Sequence, residues 1–207
     1  MNAQSIANRF LFSRTETPYG CSWELWTIRW WRWLLSIPKH ASPALDPTGE
    51  LFNLETQDKD CEVIFLPGNL GGSSVRTYVL PSGKALLIPI INFTTSYKEE
   101  PFLKTEHDLV CRAKKDIDDI VEKFAEIDGE PIYNLEEYRV SAPPFGTTII
   151  PDNLFNIGHG ETTSISDGYW IFLRPLTAGS HKIHTIGSCS SGKTCVDSTL
   201  YLKVKAM

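Results

Sequence analysis

The residues able to do chemistry in this chain fall into three groups: one loop motif, a few histidines with nearby carboxylates, and two arginines in strand-like text. The sharpest pattern is Gly187-Ser188-Cys189-Ser190-Ser191-Gly192-Lys193-Thr194, which fits GxxxxGK[ST], the loop whose backbone N–H groups cradle a nucleotide's phosphates. That chemistry needs a strand before the loop and a helix after it, because the helix N-terminus faces the phosphate. The text from Thr194 onward, TCVDSTLYLKVKAM, is β-branched and alternating. A Gly/Ser-rich hairpin turn without ATP is therefore expected at 187–194.

His181 and His184 suggest a metal-binding HxxH, but residues three apart on a strand point to opposite faces. A regular strand cannot give both to one metal ion. His181 shares its face with Ile183 and should be held by packing and a local hydrogen bond, which leaves His184 to meet a ligand. His159 lies in Gly158-His159-Gly160-Glu161, polar and flexible text from which His159 or Glu161 could reach a substrate. With Asp167 and His184 it would complete a His/His/carboxylate set suited to zinc or iron. Nothing in the spacing forces the three together, and a solvated loop histidine is the plainer reading. There is no HExxH, no GxSxG elbow and no Cys/His set at zinc-finger spacing.

Arg76 and Arg139 stand in strand patterns beside Tyr78 and Tyr138. Such an arginine snorkels or pairs with a carboxylate, or else offers its guanidinium to an anion. Five of the six tryptophans crowd into Ser22–Ser36. There Trp23, Trp26, Trp30, Trp33 and Leu34 make one helical stripe, with Glu24, Arg29 and Arg32 opposite. The stripe packs on a sheet face, lines an apolar pocket through a residue such as Trp30, or lies in a membrane interface.

The five cysteines, 21, 61, 111, 189 and 195, form no disulfide framework. Cys189 and Cys195 could close a loop under oxidising conditions or remain thiols in a reducing cytosol. Asn92-Phe93-Thr94 fits a glycosylation acceptor, which matters only in a secreted eukaryotic chain.

The elements that must position these groups are legible in outline. Ser22 caps the tryptophan helix and Pro38 stops it. Strands are expected at Glu62–Leu66, Val75–Leu80 and Ala85–Phe93, as an antiparallel meander. Pro89 makes the third an edge strand or a bulged one. Thr105–Phe124 reads as an amphipathic helix burying Leu109, Ala113, Ile117, Ile120, Val121 and Phe124, with a capping box from Thr105 and Asp108. Asp128-Gly129 signals a type I′ hairpin, and Arg139–Ser141 a short strand. Gly168–Arg174 and His181–Ile186 read as a hairpin around Pro175–Gly179, and Ser198–Lys205 as the last strand.

Length and charge bound the answer. The 207 residues carry a formal charge of −5, with 42% hydrophobic and 22% charged residues. That excludes a disordered chain or a fibre, and no basic face is available for nucleic acid. No apolar run reaches the roughly 18 residues a transmembrane helix needs.

Six blocks occur in order: WxxRWWRWLLSIP, SPALDPTGE, FLPGNLGG, VLPSGKALLIPIIN, DGEPIYNLEEYRVSAPPF and SDGYWIFLRPLTAGSHKIHTIG. In these the chain resembles a family of small, mostly bacterial, uncharacterised proteins. The resemblance implies no activity and transfers no catalytic residue. Proteins similar in this way often begin with an export signal. The first residues here do not read as one, and the expectation is a cytoplasmic chain.

The expected fold is mainly β: one domain, 1–207, as an antiparallel β-sandwich or jelly-roll-like domain. It would carry an N-terminal arm at 1–20, the tryptophan-rich helix, and a helical insertion at 94–127. The alternative is an α+β domain with both helices on one sheet face. The expected function is non-catalytic binding of a small molecule or a protein, a second copy of the chain included, with no cofactor. The candidate binding residues are Trp30, Arg76, Arg139, His159, Glu161, Asp167 and His184. The alternative is a small metal-dependent enzyme built on His159, Asp167 and His184.

Overall fold

Tryptophans at helical spacing need a large apolar surface to cover, and the fold supplies one. The computed structural model describes residues 10–190, 192 and 195–206. Helix α1, Trp23–Leu35, starts where the Ser22 hydroxyl accepts the Leu25 N–H and ends just before Pro38. All five of its tryptophans are buried. Their rings meet Phe65, Trp170 and Phe172 edge-on.

Ten strands follow among the described residues, in two sheets. The first sheet holds β1 (Val63–Phe65), β3 (Ala85–Ser96), β6 (Arg139–Ser141), β7 (Phe145–Ile149) and β8 (Gly160–Leu173). The second runs β2 (Gly72–Pro81), β10 (Cys195–Lys205), β9 (Gly179–Cys189), β4 (Ile120–Ile127), β5 (Glu130–Pro131) in spatial order. The protein is thus a mainly β, sandwich-like fold. Antiparallel pairs dominate, but β1–β3 and β2–β10 are parallel.

Those two parallel pairs correct the expected meander. β1 and β3 are neighbours in one sheet, and β2, between them in sequence, crosses to the other. The expected hairpin of Gly168–Arg174 with His181–Ile186 is also absent, because β8 and β9 lie in different sheets. Both edges of β8 are already taken, one by β3 and the other by β6 and β7. The chain must therefore leave the sheet after Leu173.

β8 is buried without interruption from Ser164 to Leu173, as a strand covered on both faces must be. Trp170 and Phe172 receive α1, whereas Ile165, on the alternate face, packs with Leu109 and Ala113 of α2 (Glu106–Asp118). The helices therefore cover opposite faces of this sheet, contrary to the α+β alternative. The Thr105–Asp108 capping box is present. The helix nevertheless ends at Asp118, so Ile120, Val121 and Phe124 belong to β4 and Val121 is 65% exposed. That segment also alternates, and the Asp128-Gly129 turn, with φ of 53° and 83°, ties its far end into a hairpin. Pairing with β9 then overrides the helical period.

Of the expected N-terminal arm, residues 10–20 are described, and they are docked. The Phe12 N–H donates to the Phe172 carbonyl, and the Arg174 N–H to that of Phe10. No helix among the described residues is long and apolar enough to cross a membrane.

Candidate functional site

The structure disperses the candidates taken from the sequence. His159 is exposed in the loop before β8, and Glu161 is exposed within it, accepting the Thr148 hydroxyl at 2.6 Å. Asp167 is 2% exposed and faces Arg139, not a histidine. Arg139 grips it through Nε at 3.0 Å and Nη2 at 2.6 Å, and gives Nη1 to Asp118 at 2.7 Å. These hydrogen bonds, Asp167's foremost, raise the guanidinium's pKa further and fix its charge. Arg139 is therefore committed to carboxylates of its own chain.

His184 lies on the other sheet, with Nε2 2.8 Å from an Asp197 carboxylate oxygen and its ring against Phe124. It is not the free histidine expected. His181 is held as expected, between Asp128 Oδ2 at 2.8 Å and the Thr177 carbonyl at 2.9 Å. No group of three His, Cys, Asp or Glu side chains among the described residues is placed to hold a metal ion.

Trp30 and Arg76 are core residues. The Trp30 indole N–H donates to the Leu66 carbonyl at 2.9 Å, and its ring is wedged among Trp31, Trp33 and Trp170. Arg76 is 0% exposed and donates to the carbonyls of Asp46, Pro67 and Gly68 at 2.8–3.0 Å. It clips two loops onto β2, so it does not present its guanidinium to a dissolved anion. Burial lowers its pKa. The Asp46 carboxyl beside it is raised by burial, but the N–H of Leu51 and the hydroxyl and N–H of Thr48 more than reverse this, to about 2.

In the phosphate-loop lookalike, Lys193 and Thr194 lie outside the described residues. The segment that follows is strand β10, which pairs with β9 from Cys195↔Ser188 onward. A helix N-terminus for phosphate is therefore missing there.

The groups that the fold does bring together lie elsewhere, at the free edge of β3. β1 pairs with β3 only at Ala85, Leu86 and Leu87 and then stops. From Ile88 onward this side of β3 has no strand partner among the described residues. Pro89 lacks an N–H, and the ladder to β8 slips there: Pro89 faces Trp170 and Ile91 faces Tyr169, leaving Ile90 as the extra residue. The proline thus sits at a bulge and at a free edge, the two expectations its position carried.

A cleft of about 320 Å³ opens beside this edge. Its apolar wall includes Leu70, Pro89, Ile90, Ile91, Phe93 and Val196, and its polar groups include Trp31, Asn69, Asn92 and Glu99. Two glycines set the spacing behind it. A side chain at Gly187 would strike Ile91 Cβ at 2.5 Å, and one at Gly168 would strike Asn92 Cβ at 2.5 Å.

Asn69 is satisfied by the protein through both its amide atoms, but two other polar atoms of the lining residues are not. Trp31 Nε1 and Asn92 Nδ2 are buried without a hydrogen-bond partner. That burial also argues against Asn92 as a glycan acceptor, for which its amide nitrogen would have to be accessible. Glu99 is the one ionisable side chain of the lining. Burial pushes its carboxyl up to about 7, and the charge of Glu100 adds to this. The nearby Arg112 is taken up by Glu100, at 2.8 and 2.9 Å, and by Asp116.

None of the seven sequence-derived candidates lines this cleft. The one sequence signal near it was Pro89 inside an apolar run, together with the tryptophan helix, whose pocket-lining member is Trp31 rather than Trp30.

No protein-family model matches the chain, nor does any curated protein. A chain of a solved structure, "Structure of PbICP-C in complex with falcipain-2", is similar over 70% of this chain and 98% of its own. The identity is 15% and the TM-score 0.25. At that TM-score the likeness carries no argument.

Proposed function

We propose that the protein is a non-catalytic, ligand-binding β-sandwich whose site is the cleft at the free edge of β3. The observation that supports this is a largely apolar cleft of about 320 Å³ at an unpaired strand edge, with the carboxyl of Glu99 in its described lining. Two donors of lining residues, Trp31 Nε1 and Asn92 Nδ2, are sealed just beneath that wall without an acceptor, at a cost of about 1–3 kcal/mol each that a small side-chain shift toward a ligand acceptor would relieve. Mostly apolar clefts with a few convergent polar groups are the usual form of a small-molecule site. The partner is then a small molecule. A 150 Å³ cavity holds benzene, so a volume of about 320 Å³ suits a ligand of about a dozen heavy atoms. It has no room for a folded segment.

The test is a proton–nitrogen NMR titration with small amphiphilic fragments. Binding should move the Trp31 indole N–H and the Asn92 side-chain amide before other signals. If those two resonances stay fixed across acidic, basic and neutral fragments, the cleft is not a binding site.

A further inference from the structure

We infer that the occupant of this cleft is a small organic cation, an amine on an apolar body, and that Glu99 is its counter-ion; this rests on the cleft being the binding site. Among the described residues the lining offers one ionisable side chain, a carboxyl, and no basic residue. An anionic ligand would meet Glu99 with nothing in the wall to neutralise it.

The surroundings make the absence of a cation at Glu99 specific. Glu99 closes the turn after β3, where its N–H is held by Ser96 through the carbonyl and the hydroxyl. Its backbone is therefore fixed. Its carboxyl accepts no hydrogen bond from a described residue; Lys98, beside it on the turn, has its ammonium near Gly160, and the charged groups that act on the carboxyl are Glu100, Arg112 and Asp116. Two of these three are acidic, and Arg112 already bridges them. The upward shift of Glu99 agrees with this geometry: its carboxylate is poorly solvated, and burial and Glu100 outweigh the pull of Arg112. A ligand ammonium provides that charge inside a cleft where screening by water is reduced. The apolar wall takes up the hydrocarbon. Because binding stabilises the carboxylate, it releases a proton from Glu99 near neutral pH.

The test compares three ligands of nearly equal shape at about pH 7.5, where Glu99 is mainly ionised: cyclohexylmethylamine, cyclohexylmethanol and cyclohexanecarboxylate. Affinities come from calorimetry, and location from the Trp31 and Asn92 NMR signals. The amine should bind roughly tenfold or more tightly than the alcohol, and the carboxylate weakest. Glu99→Gln should remove the amine's advantage while leaving the alcohol's affinity nearly unchanged, which also shows that the variant cleft is intact. Calorimetry of the parent in buffers of different ionisation enthalpy should show proton release on amine binding, and Glu99→Gln should abolish it. If the amine binds no better than the alcohol, or keeps its advantage in Glu99→Gln, the cation inference fails while the cleft stands as a binding site. If no member of the series moves the Trp31 and Asn92 signals, the cation inference fails together with the binding reading.

Discussion

Asp167 and Glu99 are carboxylic acids withdrawn from water on adjoining parts of one sheet, and the protein treats them in opposite ways. Asp167, on β8 opposite Phe93 of β3, is gripped by the Arg139 guanidinium. Glu99, just past the end of β3, has a carboxyl that accepts no hydrogen bond from a described residue and is pushed up to about 7. The same contrast divides two adjacent tryptophans of α1. The Trp30 N–H is spent on the Leu66 carbonyl, whereas the Trp31 N–H is spent on nothing. A buried polar group that the chain satisfies serves the fold. One that it leaves unsatisfied among the residues of a cleft wall accords with the ligand-binding reading proposed above.

The contrast is sharpest where a satisfied group is removed. Trp30→Ala should cost about 3–5 kcal/mol, as expected for truncating a fully buried aromatic, because the lost ring contacts Trp31, Trp33 and Trp170. Denaturant unfolding measures it. A midpoint unchanged from the parent would make α1 peripheral and remove the distinction between Trp30 and Trp31. Next in size is Arg139→Ala, which leaves Asp167 buried without a partner. Breaking a buried pair on one side costs about 3–5 kcal/mol. Arg139 keeps partial exposure, with 26% of its side chain accessible, so the lower end, about 3 kcal/mol, is expected. The double variant Arg139→Ala with Asp167→Asn, which leaves no buried charge unpaired, should lose less than Arg139→Ala alone. Equal losses would mean that Arg139 acts through packing and not through its charge.

How much of this was legible in the sequence follows from which interactions are local. The α1 cap at Ser22, the Thr105–Asp108 box and the Asp128-Gly129 turn each depend on residues within a few positions of each other, and all three form. Strand partnership depends on the whole chain. Nothing within Gly168–Arg174 tells that both of its edges will be claimed by β3, β6 and β7, so the expected hairpin with His181–Ile186 was an error of topology and not of propensity. The site candidates failed for a related reason. Histidines and arginines were chosen by type, and type does not show whether a partner such as Asp197 or Asp167 comes to meet them from far along the chain. In the sequence Glu99 falls within 94–127, the stretch expected as a helical insertion. Only the end of β1 at Phe65 and the bulge at Ile90, both tertiary facts, make it part of a cleft.

The smallest expected effect tests the unsatisfied side directly. In the unfolded chain Glu99 titrates near the ordinary glutamate value of 4.5, and in the folded protein near 7. Between those values the folded state binds more proton than the unfolded one, so this group's contribution to stability falls as pH rises through the window. Its penalty is absent below about pH 4.5 and complete above about pH 7. Glu99→Gln keeps the shape and removes the ionisation. The variant should match the parent near pH 4 and exceed it by about 1 kcal/mol near pH 8, a figure reduced from the full shift because the group keeps some contact with solvent. Taking the difference between the two proteins at each pH cancels titrating groups remote from Glu99, such as Asp46. The expected trace is a step confined to the window between the two pKa values. A flat difference would mean that the Glu99 carboxylate is stabilised in the folded protein after all, and the contrast with Asp167 would no longer hold. The same titration with an amine in the cleft should flatten the step, because the ligand supplies from outside the charge that Arg139 supplies to Asp167 from within.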